Sequence, residues 1–99
     1  MTQFIEEVLA IINKIPYGRV MSYGQVASFA GNIRGARQVS RILHSMSKKY
    51  NLPWYRIINS KGKISITDER GAAIQRELLI SEGVEVSKDG YIDISTYGI

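Results

Sequence analysis

Nucleophiles and general bases are scarce in this chain. It contains no cysteine, which excludes disulfides, a Cys-ligated zinc and thiol catalysis. Its one histidine, His44, cannot form a metal cluster alone. The segment Pro53-Trp54-Tyr55-Arg56-Ile57 sets an indole, a phenol and a guanidinium side by side. An indole Nε1–H is only a hydrogen-bond donor, and the ring offers no electron pair comparable to a thiolate's. Hydrolysis or group transfer would fall to Tyr55, Tyr23 or Glu82. The absence of both thiol and imidazole from that segment argues against either activity.

Charge carries more information than chemistry here. From Val8 to Thr67 there is no Asp or Glu, against ten Lys and Arg. The rest of the chain holds all nine acidic residues and three basic ones. The block at +10 and the remainder at −6 give the overall charge of +4. An acid-free stretch suits a polyanionic partner, because a carboxylate near the contact face would repel phosphate.

The elements that position these residues follow from caps and periodicity. Thr2 can cap a helix over about 3–14, with Phe4, Val8, Ile11 and Ile12 as its apolar stripe. Pro16-Tyr17-Gly18 breaks it, and Ser22 with Gln25 forms a capping box for a short second helix. Gly31-Asn32 ends that helix, and a longer one runs over about 35–48. Val39, Ile42, Leu43 and Met46 lie on its buried side, while Arg34, Arg37 and Arg41 cluster on another. Two helices joined by a short Gly-containing turn, the second studded with arginine, read as a helix-turn-helix. Ile57-Ile58 and Ile64-Ser65-Ile66 around 59–63 predict a hairpin. A helix over about 69–82 and a second hairpin, Val84–Val86 with Tyr91–Ile94, complete the chain. The expectation is one α/β domain over residues 1–99, built on a winged-helix-like core.

Pro53 and Arg56 flanking Trp54, together with Ile15-Pro16-Tyr17-Gly18, Ser22-Tyr23, and Ala36-Arg37 with Val39, resemble landmarks of one family. These residues are similar, in order and approximate spacing, to the C-terminal domain of the O6-alkylguanine-DNA alkyltransferases. The resemblance spans roughly Phe4 to Gly83. That family's active-site pattern is Pro-Cys-His-Arg-Val, so Trp54 stands where the nucleophilic cysteine would be. A single domain with tryptophan at that position resembles the alkyltransferase-like subgroup. Such proteins bind O6-alkylguanine in duplex DNA, flip it out and pass the lesion to nucleotide-excision repair. Tyr55 departs from the pattern, since the subgroup commonly keeps the histidine after the cysteine position. Glu82, at the place of the family's relay carboxylate, then has no relay to complete and is expected to be structural.

The resemblance implies roles residue by residue. Tyr23 would press on the target nucleotide's phosphate and favour rotation of the base out of the stack. Arg37 would enter the gap and hydrogen-bond the orphaned cytosine, a task suited to a planar, donor-rich guanidinium. Ala36 and Ser40 are small enough to let the helix backbone approach a minor groove closely. Arg34 and Arg41, with Lys48, Lys49, Lys61 and Lys63, are phosphate-contact candidates. Trp54, Tyr55, Pro53 and Arg56 would form the lesion pocket, Arg56 chiefly by supporting its loop. His44 reads as a helix-face residue. The resulting expectation is a monomeric, non-enzymatic sensor of DNA damage, without metal or cofactor, with excision-repair proteins as partners. No apolar run approaches the roughly 20 residues of a membrane span. The acidic pair Glu6-Glu7 near the N-terminus is unlike a secretory signal, which gives a cytoplasmic expectation. A winged-helix regulator reading undamaged DNA is the rival.

Overall fold

The computed structural model describes all residues, 1–99. Helix α1, Gln3–Asn13, starts where Thr2 accepts a hydrogen bond from the Ile5 N–H at 3.2 Å. It buries Val8, Leu9 and Ile12. A two-residue strand β1, Met21–Ser22, leads directly into α2, Tyr23–Phe29. The expected capping box is present: Gln25 N–H donates to Ser22 Oγ at 3.1 Å, and Ser22 N–H donates to Gln25 Oε1 at 3.0 Å. Helix α3, Ala36–Tyr50, buries Val39, Ile42 and Leu43, and ends at Asn51 in the left-handed conformation.

The turn between α2 and α3 contains a close approach that explains one glycine. A Cβ on Gly35 would lie 2.9 Å from the Phe4 ring and 3.1 Å from the Asn32 carbonyl oxygen. Its absence lets the turn close over α1. The three helices enclose a core of Val8, Ile12, Val26, Val39, Ile42 and neighbouring apolar residues. This is the helix-turn-helix expected from the sequence.

After α3, Trp54–Arg56 forms one turn of 3₁₀ helix, followed by β2, Ile57–Ile58. Helix α4, Glu69–Ser81, is capped by Asp68, and the short α5, Ile94–Tyr97, by Asp93. No helix is long and apolar enough to cross a membrane.

Neither hairpin forms as expected. β2 pairs in parallel with β1, Met21 against Ile57 and Ser22 against Ile58. The reason lies in Asn59, whose side-chain oxygen accepts from the Lys61 and Lys63 N–H groups at 3.0 and 2.9 Å. It satisfies locally the donors that a ladder would use, so 59–63 is a tight turn without flanking strands. The chain beyond it pairs elsewhere: Ile64 N–H donates to the Gly90 carbonyl, and Lys63 bridges Tyr91 antiparallel. The 87–91 turn is present, but Asp93 then captures the Ser95 N–H at 3.0 Å and starts α5 where a strand was expected. Val20, Ile58, Leu79, Val84 and Ile92 form a second, smaller core. Ile57 faces the first core and Ile58 the second, so the segment 53–58 is the seam between them.

Candidate nucleic-acid interface and base pocket

Trp54 and Tyr55 leave the seam in different directions. Their rings meet edge to face, 5.9 Å apart and at 85°. Trp54 packs against the helical core, Tyr55 against the smaller one.

On the Trp54 side is a cavity of about 300 Å³, walled also by Tyr23, Ser40, Leu43, His44, Ser47, Ile66 and Gln75. A wider, shallower groove of about 660 Å³ shares Tyr23, Ser40, His44 and Ile66 with it. Ala36 and Arg37 from the start of α3 line that groove, with 59–60 and 65–67 opposite. Cavity and groove are therefore continuous through four shared residues. The α3 capping position carries no side-chain hydrogen bond, and Arg37 is exposed in the first turn. The structure thus brings Tyr23, Ala36, Arg37, Ser40 and Trp54 to one face.

Tyr23 begins α2, placed by the Ser22 capping box. Its partial burial raises the hydroxyl pKa above 10.0, with Ser65 acting in the opposite direction. The group is a neutral hydroxyl at physiological pH, able to donate or accept at the junction of cavity and groove. Arg34 and Arg41 are exposed but line neither depression. They flank the face from the inter-helix turn and from α3. Lys63 rests over the Tyr91 ring at 5.3 Å.

Pro53, Tyr55 and Arg56 are not among the residues walling the Trp54 cavity. Tyr55 and Arg56 turn instead to Glu82. The guanidinium donates through Nη2 to Glu82 Oε2 at 2.6 Å and through Nε to Oε1 at 2.9 Å. Its Nη1 donates to the Ile15 carbonyl at 2.8 Å. The Tyr55 hydroxyl donates to Oε2 at 2.8 Å, and the Gly18 N–H to Oε1 at 2.8 Å. Gly18 holds φ 79°, a conformation glycine adopts freely, and so aims its N–H at the carboxylate. Tyr17 covers the guanidinium with its ring, 5.8 Å away, and donates to the Ser81 carbonyl at 2.9 Å.

Burial alone would raise the Glu82 pKa, but donation from Arg56, the Gly18 amide and Tyr55 outweighs it and holds the carboxyl below 4.5. Burial, and then the bond to Glu82, lifts the Tyr55 phenol above 10.0. The bond to Glu82 raises the Arg56 guanidinium beyond its already high ordinary pKa, so it stays charged. Each charged group is fixed in its ordinary ionised form. Glu82 therefore ties α4 to the 15–18 turn and to the seam, without a free position for proton transfer.

Five cavity residues, Leu43, His44, Ser47, Ile66 and Gln75, lay outside the sequence expectation for the site. His44 follows Ser40 by one helical turn and Arg37 by two, so i, i+3 and i+7 spacing places it on the same face. Gln75 carries no such signal; it is a polar residue on the buried side of α4, with Leu79 one turn on.

Comparison with known proteins agrees with this arrangement. Residues 3–84 match the family model for the 6-O-methylguanine DNA methyltransferase DNA-binding domain. A DNA base-flipping protein of Vibrio parahaemolyticus is 41% identical over 97 residues, covering 98% of this chain and 96% of that protein. Alkyltransferase-like protein 1 of Schizosaccharomyces pombe is 38% identical over 87 residues, covering 87% and 81%. The crystal structure of S. pombe Atl1 in complex with damaged DNA containing O6-carboxymethylguanine superimposes with a TM-score of 0.87 at 34% identity, over 100% of this chain and 96% of that one.

Proposed function

The chain belongs to the 6-O-methylguanine DNA methyltransferase DNA-binding-domain family, and on that footing we propose that it recognises O6-alkylguanine in duplex DNA without removing the alkyl group. The observation that carries this reading is the Trp54 cavity opening into the Arg37 groove. A base that leaves the stack needs a pocket, and the stack it leaves needs a filler. Trp54 and Arg37 supply these two things on one face. Relatives described as base-flipping and alkyltransferase-like, and a similar fold in complex with damaged DNA, support the reading.

In this account α3 enters the minor groove, with Ala36 and Ser40 keeping its surface low. Tyr23 presses on the phosphate of the target nucleotide, and Arg37 occupies the vacated position opposite cytosine. Arg34 and Arg41 hold neighbouring phosphates, which makes affinity salt-dependent. The base enters beside Trp54. Weakened pairing of an O6-alkylated guanine lowers the cost of extrusion, and that difference supplies part of the selectivity.

No thiol is present to accept the alkyl group. The carboxylate at the family's relay position is occupied by Arg56, Tyr55 and Gly18. The protein acts as a non-enzymatic, monomeric sensor on the chromosomal DNA of the cytoplasm. Its output is a long-lived, distorted site that recruits nucleotide-excision-repair proteins. Recovery of protein and DNA after incubation with a methylated duplex and excess undamaged competitor tests this. The expected result is preferential retention of the lesion duplex, with its methyl group intact and the protein mass unchanged. A methylated protein, or retention of lesion and undamaged duplexes in proportion to their amounts, contradicts it.

A further inference from the structure

Tyr23 is the first residue of α2, and the side chain of Gln25, close behind it, makes contacts in two directions. Its Oε1 accepts from the Ser22 N–H at 3.0 Å, which closes the capping box. Its Nε2 donates to the Ile99 main-chain oxygen at 3.0 Å, 74 residues along the chain. A glutamate would complete the same box and suit the positive end of the helix better. What glutamine adds is a donor, and that donor goes to residue 99. The same segment is bound to the strand before Tyr23. The Val20 N–H donates to the Tyr97 carbonyl at 2.9 Å, and the Ile99 N–H to the Val20 carbonyl at 3.2 Å. Arg19 Nη1 donates to the Gly98 carbonyl at 3.1 Å and to that of Thr96 at 3.4 Å. Residues 96–99 thus run beside Val20 and reach the start of α2.

We infer that Gln25 is a positioning residue for Tyr23, bracing the start of α2 against residues 96–99 so that the tyrosine can press on a phosphate. This rests on the lesion-recognition reading and adds what holds the pressing group in place. A side chain pushed against a nucleotide displaces whichever of the two yields more easily. The Tyr23 ring is half-buried against the helical core and walls both the cavity and the groove. Its backbone, in contrast, hangs on a two-residue strand and the capping box. Gln25 ties that junction to a third segment, and a group held ready in this way loses less freedom on binding. The depression beside the junction is lined by Val20, Ser22, Gln25, Ser60 and Ile94, and Ser60 also lines the Arg37 groove. The brace therefore borders the face that carries Tyr23 and Arg37. An undamaged duplex held without extrusion does not load Tyr23, so loss of the brace weakens lesion binding selectively.

The test is equilibrium binding to duplexes containing guanine or O6-methylguanine, read as the ratio of the two Kd values. Gln25→Glu keeps an oxygen for the Ser22 N–H and replaces the donor with a second oxygen. Arg19→Met releases Thr96 and Gly98 without touching α2. Both substitutions lower the net positive charge and weaken binding to any DNA, an effect that the ratio cancels. Each is made alone and together with Tyr23→Ala, the double-mutant comparison that isolates coupling to the tyrosine. Thermal unfolding establishes that each variant is folded, and Arg19→Met carries the test alone if Gln25→Glu is not. The preference for the lesion is expected to fall about fivefold in each variant, the size of one ordinary hydrogen bond. With Tyr23→Ala already present, either substitution should change it by less than about twofold. A preference within about twofold of the unsubstituted protein's in either variant, or an equal fall with and without Tyr23→Ala, overturns the proposal. An unsubstituted protein that does not prefer O6-methylguanine over guanine instead overturns the reading on which it rests.

Discussion

Trp54 and Tyr55 are neighbours in one turn of 3₁₀ helix, and the two sides they face are opposite in kind. Around Glu82, on the Tyr55 side, three residues converge on both carboxylate oxygens, and an arginine is shared between a carboxylate and a carbonyl. On the Trp54 side lie an open cavity and an exposed arginine. A saturated cluster holds shape, whereas an unsaturated surface is ready to bind. The family's chemistry depends on a nucleophile that a base can activate. In this chain the side that would do the activating is locked, and the side that would receive the base is open.

The comparison breaks first at Glu82. Glu82→Ala leaves a largely buried Arg56 without its counter-charge, and the expected loss of stability is about 3–5 kcal/mol, read by urea unfolding. A loss below about 1 kcal/mol, the range of exposed ion pairs, would mean that the cluster does not hold the seam.

Acid probes the same side more gently. The Glu82 pKa is depressed in the fold, so its contribution is complete above 4.5 and declines as pH falls through the lower folded value. Unfolding midpoints should therefore drop steeply below about pH 4.5, and a Glu82→Gln variant should show a shallower drop. Parallel profiles would count against the assignment.

On the open side, Arg37→Ala should weaken binding to an O6-methylguanine duplex by about tenfold or more, roughly 1.4 kcal/mol, with the melting temperature unchanged. Lys63→Ala, at a residue packed over Tyr91, should cost about twofold, in the range of a single exposed phosphate contact. Equal losses in the two variants would remove the distinction between a finger and a general basic surface.

The smallest expected effect joins the two sides. Trp54→Cys places a thiol in the open cavity, but Tyr55 stands where the family's histidine would be, and Glu82 has no capacity left for a relay. Efficient methyl transfer is not expected, by intact-protein mass after incubation with a methylated duplex. Rapid transfer would show that the locked side is not what prevents chemistry.

Much of the helical frame was legible in the sequence because its signals are local. Thr2, the Ser22–Gln25 box and the apolar period of α3 each act within a few residues, and all appear where expected. The strands were not legible, since β2 pairs with Met21–Ser22 far upstream and Asn59 closes its own turn. Asp93 likewise reads as a strand residue until its side chain is seen to cap α5. The face joining Tyr23, Arg37 and Trp54 was anticipated from the resemblance alone. The separation of Tyr55 and Arg56 from Trp54 was not, because it depends on Gly18 and Glu82, which only the fold brings to them. Gln75 and His44 were missed for different reasons: one depends on a buried contact, the other on helix phase that a lone histidine does not advertise.

The central claim is that an open, nucleophile-free pocket reads alkylation. It is tested most directly by equilibrium binding to two short duplexes that differ only in one O6-methyl group, at fixed near-physiological salt. The account predicts distinctly tighter binding to the methylated duplex, by about tenfold or more. Equal affinity for both would contradict it and leave a basic helix-turn-helix domain that binds DNA without regard to the lesion.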